Sequence, residues 1–137
     1  MADVAENLRS FLVADANTAA KVGTRIYQDS VPQAKSFPFI WFQRTGTDNL
    51  RCLGETTNTP FSHTFAVEVI SDDIAQVNPL ADLVRARLET AAAGSSSFGA
   101  GTVSNVFCED QADDYLPRGA DLNSGEHVAA LQVEVYP

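Results

Sequence analysis

The sequence predicts an α+β fold, an antiparallel or mixed β-sheet with helices packed on one face, forming a single domain over residues 1–137. Three observations lead there. Apolar residues recur at helical spacing near the start and near the middle of the chain. They cluster or alternate at strand spacing in several other stretches. The resulting order is helix, strands, helix, strands, which places helices over a sheet. A chain of 137 residues with 45% hydrophobic content suits one core. Domains of this size bury roughly two thirds of the surface they expose when unfolded, so neither metal nor disulfide is needed for stability.

Residues 3–14 form the first predicted helix, in which Val4, Leu8, Phe11 and Leu12 share a face and Asp3 is placed to cap the first turn. A second short helical segment covers 15–22, and Gly23 stops it. Residues 25–28, with Ile26 and Tyr27, are extended; Pro32 and a polar run over 33–36 make a surface connection. Pro38 opens a strand at 39–45, the aromatic and branched run FIWFQRT. The polar stretch 46–60 holds two glycines and a proline and is expected to be a long loop. Phe61, His63, Phe65, Val67 and Val69 then alternate with Ser62, Thr64, Ala66 and Glu68 in a strand reaching Ile70.

Asp72 or Asn78 is placed to cap the next helix, and Asn78-Pro79 fits an N-cap followed by proline at the first helical position. Val77, Leu80, Ala81, Val84 and Leu88 share its apolar face, and Gly94 ends it. Small residues over 95–101 predict a loop, and Val103, Val106 and Phe107 a strand over 102–108. A second polar stretch, 109–125, is expected to be another long loop. The last strand, 127–136, turns Ala129, Leu131, Val133 and Val135 one way and Gln132 and Glu134 the other. Two loops of such length are unusual in a small domain, and they are expected to serve as arms that order on contact with a partner.

Nine basic against eighteen acidic residues give a formal charge of −9, which opposes adhesion to phosphate backbones. The opening MADVAENLRS lacks the basic-then-apolar pattern of a signal peptide. No apolar run approaches the ~18 residues of a membrane helix, so no membrane association is expected. Cys52 and Cys108 lie far apart, and neither belongs to a CxxC pair. With His63 and His127 they could form a four-ligand zinc set, but the ligands do not come in close pairs, and two reduced thiols are the simpler reading.

No arrangement of residues signals catalysis. Gly99 and Gly101 lack the third glycine and following helix of a phosphate loop, and read as a turn. His63 falls on an apolar strand face without a visible partner for general-base work, so a buried, hydrogen-bonded histidine is expected. Asp110, Asp113 and Asp114 lack the DxDxDG pattern and distal glutamate of a calcium loop, and read as a solvated acidic loop. Trp41 with Phe37, Phe39 and Phe42 could stack a ligand, but a sheet core packed under helices accounts for them. The expectation is therefore no enzyme, with no catalytic residue, no cofactor and no metal.

The order of segments carries more than any single motif. Val22 to Tyr27 reads Val-Gly-x-Arg-Ile-Tyr and precedes Pro32-Gln33; Phe37-Pro38 opens a strand; a Val-x-Val at Val67 to Val69 precedes the main helix; an alternating strand, Ala129 to Tyr136, follows. In these features the chain resembles the tail terminator, or tail-completion, family of long-tailed bacteriophages, along nearly its whole length. It departs from the family's pattern in the longer stretches at 46–60 and 109–125. The resemblance implies a structural virion protein, built in the host cytoplasm, that caps the head-proximal end of the tail tube, stops its growth and joins tail to head. It also implies a self-assembled ring, a hexamer, meeting the major tail tube protein on one side and a head-closure or connector protein on the other, with DNA passing through the lumen unbound. The competing readings are a head-closure or connector component of the phage neck and a small α+β binding module.

Overall fold

The computed structural model describes residues 4–32, 36–50, 59–90, 96–98, 101–103, 105–118 and 121–136. Its elements run α1 (Val4–Val13), α2 (Ala16–Val22), β1 (Ile26–Gln28), β2 (Phe39–Leu50), β3 (Thr59–Ser71), α3 (Ile74–Glu89), β4 (Ser96–Phe98), β5 (Gly101–Val103), β6 (Asn105–Arg118) and β7 (Asp121–Tyr136). Five strands form one sheet in the order β1-β2-β3-β7-β6, and β4 pairs with β5 in a separate hairpin. β1 runs parallel to β2; every other neighbour in the large sheet is antiparallel, so the sheet is mixed and the fold is α+β as expected.

The helices cover one face. Ala5, Leu8, Phe11 and Leu12 of α1 and Val77, Leu80, Ala81, Val84 and Leu88 of α3 are buried against Ile40, Phe42, Phe65, Val67, Val69, Leu131, Val133 and Val135 of the sheet. These are the stripes that helical spacing and strand alternation anticipate. Asp15 caps α2, its carboxylate accepting from the Thr18 backbone N–H at 3.2 Å and the Thr18 hydroxyl at 2.6 Å. Gly23 ends that helix at φ 58°, its N–H donating to the Ala19 carbonyl at 2.8 Å.

Four expectations need correction. First, α3 starts at Ile74 under an Asp73 cap, not at Pro79 under Asp72 or Asn78, and Pro79 lies inside the helix. The Asp73 carboxylate accepts from the Ala75 N–H at 3.0 Å, and Asp73-x-x-Gln76 is a capping-box spacing that outweighs the Asn-Pro signal. Second, the described ends of 46–60 are strand, not loop: β2 continues to Leu50 and β3 begins at Thr59, the two pairing from Phe39↔Ile70 to Leu50↔Thr59. Residues 51–58 lie outside the described part. Third, 109–125 is mostly strand, since β6 reaches Arg118 and β7 begins at Asp121. Fourth, the expected loop at 95–101 contains β4 and the start of β5.

Candidate assembly surface

The Val-Gly-x-Arg-Ile-Tyr stretch braces α1 and α2 against the sheet. Val22 and Ile26 are buried in the main core. The Thr24 and Ile26 carbonyls accept from the Arg9 guanidinium at 3.2 and 2.9 Å. Arg25 donates to the Pro38 carbonyl at 3.0 Å and the Lys21 carbonyl at 3.2 Å, tying α2 to the entry of β2. Tyr27 emerges on the helix-free side.

That side carries a smaller apolar cluster, Phe39, Ile70 and Val128, bordered by Tyr27, Val31, Phe37 and Trp41. The Phe39 ring lies 5.9 Å from Tyr27 and 5.7 Å from Phe37, and the Trp41 indole N–H donates to the Asp29 carbonyl at 2.7 Å. The four aromatics therefore do not share one core under the helices. Phe42 lies there, 6.2 Å from Phe65, while Phe37, Phe39 and Trp41 hold the opposite face.

Further along the helix-free face no element among the described residues covers the sheet. Ala66, Ala112 and Ala130 floor an open hollow of about 310 Å³ rimmed by Thr45, Thr64 and Gln132. Beyond it Phe107 stands 45% exposed, edge-on to Tyr136 at 5.6 Å.

The other candidates disperse. His63 is buried and shares a 3.2 Å hydrogen bond with the Thr47 hydroxyl at Nδ1. His63 pairs with Val135 at one end of the β3–β7 ladder and His127 with Ser71 at the other, eight rows away, so the two imidazoles cannot share an ion. Among the described residues no cluster of three His, Cys, Asp or Glu could hold a metal. Cys108 is half-buried; burial pushes its thiol pKa up, against the opposing pull of the Arg85 hydrogen bond and charge. Cys52 and Gly99 lie outside the described residues, and Gly101 opens β5. Asp110, Asp113 and Asp114 are strand residues paired with Gln132, Ala129 and Val128, not an acidic loop.

What sequence reasoning missed is the polarity of the sheet. β2 and β3 run past the last row they share with β7, His63↔Val135, and pair through Asp48↔Ser62 to Leu50↔Thr59 with no third strand among the described residues. At the other end β6 and β7 run past Ser71↔His127 and pair through Leu116↔Glu126 to Arg118↔Asp121, again with no third strand among the described residues. Two-stranded ribbons, each about 10 Å long at the usual rise per residue, thus project from diagonally opposite ends of one sheet.

The sequence matches the family described as "Tail completion protein gp17" over residues 6–130. A solved chain titled "Virion of native gene transfer agent (GTA) particle" is 21% identical, with a TM-score of 0.56 over 98% of this chain and 92% of that one, which shows the shared fold. A second solved chain aligns over 98% of this chain and 96% of its own at 12% identity and a TM-score of 0.42. No curated protein matches the sequence.

Proposed function

This chain belongs to the tail completion protein gp17 family and is a structural protein of a phage-type tail, and we propose that within the tail it caps the head-proximal end of the tube, stops its growth and joins it to the head. The observation that carries this reading is the pair of opposed ribbons, because a joint between two bodies needs contacts aimed both ways. As one domain assembled into a closed ring of six copies, the chain directs one set of ribbons to the major tail tube protein. The other set meets the head-closure or connector protein. Heterologous contacts close into such a ring when the rotation between copies permits it. The acidic balance of the chain lets DNA pass the lumen without sticking. Assembly takes place in the host cytoplasm, and no step of it is catalytic.

The test is a phage lacking this gene, complemented with the wild-type chain or an empty vector. Without the chain, electron microscopy shows unjoined heads and tails of irregular length; the wild-type chain restores particles with one ring at the tail's head-proximal end. Joined tails of normal length in its absence overturn the reading.

A further inference from the structure

We propose that neighbouring copies join edge to edge, β2 of one copy pairing antiparallel with β6 of the next over Gln43 to Asp48 and Asn105 to Asp110. This contact rests on the ring reading above and specifies how that ring is held.

The first observation is the position of the edges. β6 is the last strand on one side of the sheet, and among the described residues no strand lies beyond it. On the other side β1 covers β2 only from Ile40 to Phe42, and among the described residues no strand lies beside β2 from Gln43 onward. Alternation through β3 and β7 makes β2 and β6 antiparallel, so upright copies placed side by side continue the antiparallel pattern.

The second observation is that the two edges are congruent. Rows across the sheet read Gln43–Ala66–Gln132–Asp110, Arg44–Phe65–Val133–Cys108, Gly46–Thr64–Glu134–Phe107 and Thr47–His63–Val135–Val106. One row further, Asp48 is level with Asn105. Over these five rows each edge holds six residues, because β2 bulges between Arg44 and Gly46 and β6 between Cys108 and Asp110. A bulge on one edge alone would throw the pairing out of step and blunt that edge. One on each keeps the rows in step: Gln43 with Asp110, Gly46 with Phe107, Thr47 with Val106 and Asp48 with Asn105, the two bulges falling between the first row and the others.

The third observation is chemical. Gly46 sits within a strand at a negative φ, and a Cβ built on it would meet nothing within 4 Å, so no contact among the described residues accounts for the glycine. Glycine weakens a strand interior and marks places where another group approaches closely. Phe107, opposite it in this register and on the same helix-free face, is one of two large apolar side chains exposed among the described residues. An aromatic laid over a cross-strand glycine covers both. Below Gln43 the place beside β2 is taken by β1, so the pairing spans these six residues and the neighbour's β6 diverges past Asp110, where its bulge bends it.

The experiment places cysteines at the matched row. Residues directly opposite in antiparallel strands have Cα atoms about 4.5–5.5 Å apart, within disulfide reach. G46C/F107C in a C52S/C108S background is oxidised and run without reductant, with the C52S/C108S parent and a G46C/N105C control two rows out of register. Ring formation by each chain is followed by light scattering and on tail ends by electron microscopy. The expected result is a reducible ladder of covalent oligomers for G46C/F107C only. G46V, which has room inside its own subunit, is expected to fold normally and weaken self-association at least tenfold. Rings without cross-links in G46C/F107C overturn the edge pairing and leave the ring standing. A parent that forms no ring in solution or on tail ends removes the ring and this contact together.

Discussion

Arg87 holds the end of α1 against α3, and its loss offers a measure of how the helical layer is fixed. The last carbonyls of α1 have no partners within the helix. Ser10 and Leu12 take the Ala14 and Asp15 N–H groups at 3.0 and 3.3 Å, while the Phe11 carbonyl takes the Arg87 Nε–H at 2.9 Å. The same guanidinium lies 3.8 Å from the centre of the Phe11 ring. A hydrogen bond to a charged group is worth about 1.5–3 kcal/mol, and a cation–π contact at a partly exposed site adds about 0.5–1 kcal/mol. Allowing for rehydration of the freed carbonyl, Arg87→Ala is expected to cost about 2–3 kcal/mol. Arg87→Lys keeps charge and stem but lacks the planar fork that meets carbonyl and ring together, and should cost about 1 kcal/mol. In urea unfolding followed by circular dichroism, with a slope of about 1–3 kcal/mol per molar, the alanine variant's midpoint should fall by roughly 1 M. A loss below about 0.5 kcal/mol for Arg87→Ala refutes the argument that this side chain caps α1.

Replacing Cys52 and Cys108 with serine should leave ring formation intact, and chelator should not change the unfolding curve. With its thiol pKa raised on folding, Cys108 contributes stability that is complete below the ordinary thiol value of 9.0 and declines as pH rises through the folded value; the serine variant should lose that alkaline decline in a pH series of urea midpoints. Titration with duplex DNA at physiological salt should give no submicromolar, salt-sensitive binding, since a charge of −9 repels the backbone. Replacing residues 117–125 by Asn-Gly, which leaves Leu116 and Glu126 flanking a two-residue turn, should preserve the circular dichroism spectrum and abolish head–tail joining in complementation. A variant that folds and restores full infectivity would show that this ribbon makes no essential contact.

The buried part of the fold was legible and the exposed part was not, for one physical reason. Wherever a face is covered, burial imposes a period, and Leu8, Phe11 and Leu12, Leu80 to Leu88, and Phe65 to Val69 announced both element and orientation. Asp48 to Leu50 and Leu116 to Arg118 belong to the ribbons, where strand pairing rests on the backbone of the partner strand and their sequence carries no apolar alternation. Asp, Asn, Gly and Pro there imitate loops. The arginine braces were equally hidden, because Arg9, Arg25 and Arg87 act on carbonyls, which leave no trace in a side-chain pattern. For α3, the Asp73-x-x-Gln76 spacing is present in the sequence, but Asn78-Pro79 imitates a helix start five residues further on. The candidate surface was legible only as a resemblance, since edge position and matched bulges follow from strand order.

The opposed ribbons also determine how the subunit bears load. A pull between a body gripping the β2–β3 ribbon and one gripping the β6–β7 ribbon runs down β3 and out along β7, which lie side by side and are joined by nine paired rows from His63↔Val135 to Ser71↔His127. Their hydrogen bonds stand perpendicular to the strands, so tension slides the two strands past each other and stresses every row at once. Peeling would break the rows one at a time from an end. If the ribbons grip two bodies as proposed, parting them through this subunit requires the whole ladder to fail together.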